Sequence, residues 1–309
     1  MANQFSASQG IMQRDTYISN IDAAIEALWM RKDREAGVLG QFFNDQNADS
    51  ISYKVSNVSA IVGMPRENED TDDLPYVQSA PGFVKTFTLV PYRSAIRVTD
   101  TMLLSDRQNK IVAMTGGLIK SAMRRIEYLR AAILNDCQSG TSGADSLSLV
   151  NNSHPHENPE AGTWDNLGTG ALTGANLQAL RLLGQNMTNE IGAPDPATLK
   201  TLVVPTALEQ KALELTGSAL RAEDSLNGDT VLINQLKVVV SPFLTSTTAY
   251  LAFADRMDEE KGLHEIYLKR PDLSNVGNNS VDVPIDKRVK FIVKAGFTTS
   301  KNCYQSAGT

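Results

Sequence analysis

An α+β fold is predicted by three features of the chain. Two β-like runs are joined by a charged turn, one very long amphipathic helix follows them, and helices and strands alternate after it. With 309 residues, 41% of them hydrophobic and 21% charged, the chain has the make-up of a globular protein able to bury a substantial core. The net charge of −6 lacks the basic footprint of proteins that read nucleic acid directly.

Residues 1 to 16 are small and polar without periodicity, and read as an extended arm. They contain neither an apolar h-region nor a basic n-region, so no leader is expected and production in the cytoplasm is. No stretch approaches the ~18 apolar residues that a bilayer span needs, so no membrane association is expected. From Tyr17, the residues Ile18, Ile21, Ile25, Leu28 and Trp29 recur at helical spacing, with Ser19 and Asn20 as caps and Gly37 as the stop.

Runs 51 to 63 and 83 to 98 are rich in Val, Ile, Phe, Tyr, Thr and Ser, and each reads as one long strand. A phase shift in the first run predicts a bulge near Asn57. Pro65, Pro75, Pro81 and Gly82 punctuate the turn between the runs, whose tip is RENEDTDD at 66 to 73. Glu67, Glu69, Asp70, Asp72 and Asp73 face a single arginine there. A half-polar hairpin of this kind cannot bury both faces against its own chain, so it is expected to project and lie on a neighbour.

A helical pattern then runs from about 107 to 138, with Ile111, Leu118, Ala122, Ile126, Leu129 and Ile133 as its apolar stripe. At ~1.5 Å per residue such a helix is a rod of nearly ~50 Å. Its polar side is basic, with Arg124 and Arg125 at the centre. Gly116 and Gly117 interrupt it at about 1 kcal/mol each relative to alanine, which fits either a bending point or close packing of another backbone.

Residues 139 to 171 form a long Gly, Ser, Asn and Pro-rich loop, with one short strand expected at 147 to 150. Beyond it the pattern predicts helices at 174 to 190 and 206 to 217, and strands at 199 to 204, 236 to 240, 248 to 253, 263 to 268 and 287 to 297.

Catalytic signals are weak. HPHENPE at 154 to 160 groups His154 and His156 with two glutamates, but without helix-presented ligand spacing, so solvated loop residues are the expectation. GTGALTG at 168 to 174 follows no strand and lacks a P-loop lysine. Cys137 and Cys303 form no CxxC motif and read as packed thiols. No cofactor and no enzymatic activity are expected.

The order of these elements resembles the Hong Kong 97-like fold of tailed-bacteriophage major capsid proteins. The stretches at 151 to 180, 199 to 218 and 236 to 255 (NNSHPHENPEAGTWDNLGTGALTGANLQAL, LKTLVVPTALEQKALELTGS and LKVVVSPFLTSTTAYLAFAD) are similar to Mu-like major head subunits. The resemblance implies an N-arm at 1 to 50 and an extended loop at 51 to 96. It further implies a peripheral domain at 97 to 149 and 286 to 300 with spine helix 107 to 138, and an axial domain at 150 to 285 and 301 to 309. It also implies hexamers and pentamers closing into an icosahedral virion shell around double-stranded DNA, bound without sequence specificity. A separate scaffolding protein, a portal protein and a decoration protein are the implied partners. The tip acids would meet Arg124 and Arg125 of an adjacent subunit, and Gly116 and Gly117 would act as a helix hinge. Two other readings stay open: an encapsulin-like protein compartment, and a cytosolic metal-dependent enzyme using the His154 and His156 loop.

Overall fold

The computed structural model describes residues 23–27, 29, 37–58, 81–99, 101–102, 110–156, 162–189, 192–217, 235–254, 262–276 and 285–308. The chain divides into two compact units, each discontinuous in sequence: residues 1–37, 89–127 and 267–293 in the first, and 38–88, 128–266 and 294–309 in the second.

The second unit is organised by a five-stranded sheet. Its strands are β7 (Leu167–Gly168), β8 (Leu199–Val204), β9 (Lys237–Val240), β10 (Tyr250–Ala254) and β13 (Cys303–Ser306), in the order β7-β13-β10-β8-β9. The central strand β10 runs antiparallel to β13 and β8, whereas β8 and β9 are parallel. All five residues of β10 are buried, so it reads as a continuous apolar run, as a strand covered on both faces must. Tyr250, Ala252 and Ala254 enter one core with Leu202, Val204 and Tyr304. Leu251 and Phe253 enter the other with Val203, Leu39, Phe42 and Phe297.

Helices α2 (Gly174–Gln185) and α3 (Glu209–Gly217) cover the first of these cores through Leu177, Leu180, Ala212 and Leu215. The Thr173 side chain caps α2 by accepting from the Asn176 amide, and Pro205 precedes a 3-10 turn at Thr206–Leu208 that leads into α3. The second core takes in the end of the long helix α1 (Lys110–Asn135) through Ala131, Ile133 and Leu134, together with the 3-10 turn Val38–Phe42.

In the first unit, β4 (Val90–Val98) pairs antiparallel with β12 (Ile285–Phe297) from Val98↔Ile285 to Val90↔Val293. The sheet has the order β1-β11-β12-β4, in which β1 (Asn44–Asn47) and the first residues of β11 (Leu263–Asn275) belong to the second unit. Ile25, in the helical stretch 23–27, packs with Val98 and Ile111.

Several expectations need correction. The run 83 to 98 is two strands: β3 (Pro81–Thr88) ends before buried Leu89, and β4 pairs in a different sheet. No strand forms at 147 to 150; the short strands of that region are β5 (His154–Pro155), β6 (Thr163–Trp164) and β7. Polar caps direct this loop: Asp145 accepts from the Leu147 amide, and Asn166 binds the Leu149 and Cys303 carbonyls. Helix α1 covers 26 residues, Lys110–Asn135, against the expected 107 to 138, and 103–109 lie outside the described residues.

Candidate functional site

Two surfaces bear on function, the hairpin and the long helix. Strand β2 (Ser52–Val58) pairs with β3 alone, in register Tyr53↔Phe87 and Val55↔Lys85, as a two-stranded ribbon. The register shifts between Ser56 and Val58, which places the predicted bulge at Asn57. Alternation leaves Tyr53, Val55 and Lys85 half-buried and Phe87 buried, while Lys54, Ser56, Val84 and Thr86 are exposed. One face of the ribbon therefore has no cover among the described residues. Isolated two-stranded hairpins are marginal in water, so the ribbon needs an anchor or a partner.

Its root supplies an anchor. Lys85 Nζ donates to the Ser142 carbonyl and lies 5.0 Å from the Phe297 ring centroid and 5.5 Å from that of Phe87. Burial lowers the Lys85 pKa, Lys294 lowers it further, and Asp145 opposes both. The tip acids Glu67, Glu69, Asp70, Asp72 and Asp73 lie outside the described residues.

Helix α1 buries Ile111, Leu118, Ala122, Ile126 and Ile133, as its stripe predicts, and leaves Arg124 and Arg125 exposed. The Arg125 guanidinium lies 5.0 Å from the Tyr92 ring centroid, which holds part of its length against β4. Inward, Glu127 is buried against Gly37, where a Cβ would overlap the carboxylate. Close approach thus requires Gly37; the expected helix end there lies outside the described residues. The helix is continuous through Gly116 and Gly117; Gly116 is half-buried and Gly117 is exposed. Among the described residues a Cβ on Gly117 would meet nothing within 4 Å, so none of their backbones packs closely on it.

The histidine loop differs from expectation. His154 and His156 are buried, not solvated. His154 Nδ1 lies 2.7 Å from Asp145 Oδ2, and its ring stacks on Trp164 with centroids 4.5 Å apart. His156 Nε2 meets Thr188 Oγ1 at 3.2 Å. Both rings therefore serve packing, a role that spacing in sequence cannot reveal. Among the described residues no three or more His, Cys, Asp or Glu side chains are grouped to hold a metal.

A family model of phage capsid proteins matches residues 82–295, from β3 through α1 and strands β7 to β10 into β12. The chain belongs to the phage capsid protein family. No curated protein matches it in sequence. Solved structures similar to it include the capsid of bacteriophage JBD30, with a TM-score of 0.56 and 13% identity over 68% of this chain and 91% of that one. The capsid of Ralstonia phage GP4 has a TM-score of 0.56 and 9% identity over 86% of both chains. A virus-like particle from Pyrococcus furiosus has a TM-score of 0.53 and 10% identity over 92% of this chain and 98% of that one. At these identities the likeness concerns the fold, which is the Hong Kong 97-like capsid fold expected from element order. Membership of the family makes the chain a structural major capsid protein of the virion. Among the described residues no helix is long and apolar enough to cross a membrane.

Proposed function

We propose that this capsid protein assembles as hexamers and pentamers into an icosahedral head enclosing double-stranded DNA, and that it has no catalytic role. The observation that carries the reading is the ribbon β2–β3, one face of which has no cover among the described residues, in a chain of the capsid family. A second subunit supplies the missing cover. The chain is made in the host cytoplasm, and a separate scaffolding protein, a portal protein and a decoration protein complete the head. The N-arm at 1 to 50, extended loop at 51 to 96, peripheral domain at 97 to 149 and 286 to 300, and axial domain at 150 to 285 and 301 to 309 are the working parts of this reading.

The tip acids Glu67, Glu69, Asp70, Asp72 and Asp73 lie against Arg124 and Arg125 of the adjacent subunit. The exposure of both arginines supports this pairing. Each exposed pair contributes at most about 1 kcal/mol, so the contact works through repetition over the shell and weakens with salt. Sedimentation of a variant with all five acids changed to lysine tests it. Loss of rapidly sedimenting shells at low salt is expected, whereas normal assembly there would remove the tip from the account.

A further inference from the structure

We infer that the outward face of the β4–β12 ladder is a sequence-independent binding surface for the phosphate backbone of double-stranded DNA. Directly opposed residues of an antiparallel pair share a face, and successive residues alternate. The register therefore puts Tyr92, Phe291, Val289 and Val98 on one face, and Arg93, Lys290, Arg288, Arg97 and Asp286 on the other. Burial follows the same alternation: Val289, Phe291 and Val98 are buried, Arg93 and Arg97 are exposed, and Arg288 and Lys290 are half-buried. A chain with a net charge of −6 thus places four of the five cations in this register on one sheet face, where a single carboxylate accompanies them, while Lys287 is buried on the other.

Among the described residues the local acids do not neutralise this face. Asp286 meets Arg97 at 3.4 Å, a long contact with the Arg97 side chain 58% exposed, and Asp272 on β11 is paired with Lys269 at 3.0 Å. Arg288 donates to Ser274 Oγ at 3.4 Å. Arg93 and Lys290, opposite each other on the ladder, have no ion-pair partner among the described residues.

The face suits a polyanion better than a protein. Its apolar members are Pro91, Ala95 and Ile292, whereas the aromatic residues of the ladder, Tyr92 and Phe291, stack with each other on the opposite face. Protein interfaces rely on buried aromatic or arginine anchors seated in pockets, which a row of exposed and half-buried cations on a sheet face does not supply. Along a strand, alternate residues are ~6.6 Å apart, so the cations cover a line of roughly 13 Å. Over that length a DNA strand presents about four phosphates. Lacking a helix or ribbon that could enter a groove, the face makes charge contacts without base readout. The inference rests on the shell reading only for the source of the DNA.

The test is anisotropy of short fluorescent duplexes of two unrelated sequences, titrated with the full chain between about 50 and 200 mM salt. R93E/K290E is compared with K200E/K237E, which changes the net charge equally at exposed positions of β8 and β9. Equal affinity for both duplexes is expected. For R93E/K290E, a loss of about tenfold or more at low salt and a salt slope shallower by about two are expected, with K200E/K237E much closer to the unsubstituted chain. R93Q/K290Q should give a smaller loss at an unchanged thermal midpoint, which separates binding from folding. Affinity and slope for R93E/K290E equal to those of K200E/K237E would overturn the proposal. So would R93E/K290E blocking shell formation with DNA affinity untouched, since the face would then join copies of the chain. DNA binding through this face by a chain that never forms shells would instead overturn the shell reading alone.

Discussion

Arg130 grips Glu265 with two donors: Nη2 at 2.6 Å and Nε at 3.1 Å from the same carboxylate oxygen. The side chains are 14% and 3% exposed, so the pair is a buried charge contact between α1 and β11. Removing one member of such a pair costs more than the pair itself contributes, because the survivor stays desolvated. Arg130→Met is expected to lower unfolding free energy by about 3 kcal/mol or more in urea titration. Arg130→Met/Glu265→Leu should recover much of the loss.

His264 gives the chain a pH dependence of defined sign. It is buried, its Nε2 lies 2.7 Å from Thr298 Oγ1, and the Phe87 ring is 6.3 Å away. Burial lowers its pKa from 6.5 to about 4. The unfolded chain therefore binds the proton first, and the contribution of this residue is full above about pH 6.5 and lost progressively towards pH 4. Chemical denaturation across that window should be flatter for His264→Gln than for the unsubstituted chain.

Gly117 separates two roles of one helix position. Because an added methyl group would sit in open space, Gly117→Ala should raise helix stability by about 1 kcal/mol, read as a higher thermal midpoint of the isolated subunit. If Gly116 and Gly117 form a hinge, the double alanine variant will also expand more slowly from a precursor shell. An unchanged expansion rate would leave the glycines without a mechanical role.

Cys137 and Cys303 are buried in the same core, and burial pushes the Cys137 thiol up to about 12 and Cys303 well above its ordinary range. Alkylation needs the thiolate and access to it. Iodoacetamide at mildly alkaline pH should label neither residue in the folded chain and both in urea.

What could be read in advance divides along the range of the interactions. Local periodicity marked the stripe of α1, the bulge at Asn57, and β8 at Leu199–Val204, because each depends on neighbours in sequence. The break at Leu89 was not legible: β3 and β4 are both strand-forming runs with no turn residue between them, and only their partners, β2 and β12, divide them. His154 and His156 looked like loop residues because Asp145, Trp164 and Thr188, which enclose them, follow no helical or strand periodicity that would signal the contact. The basic face was hidden because Arg93 and Lys290 stand nearly two hundred residues apart until the β4–β12 register sets them opposite each other. Net charge averaged that segregation away.

Electron microscopy of the protein expressed alone and with a candidate scaffolding protein tests the central claim most directly. Closed icosahedral particles built of hexamers and pentamers, with the β2–β3 ribbon of each subunit resting on a neighbour, are the expected result. A chain that stays monomeric under both conditions, with its ribbon unpartnered, would contradict the account.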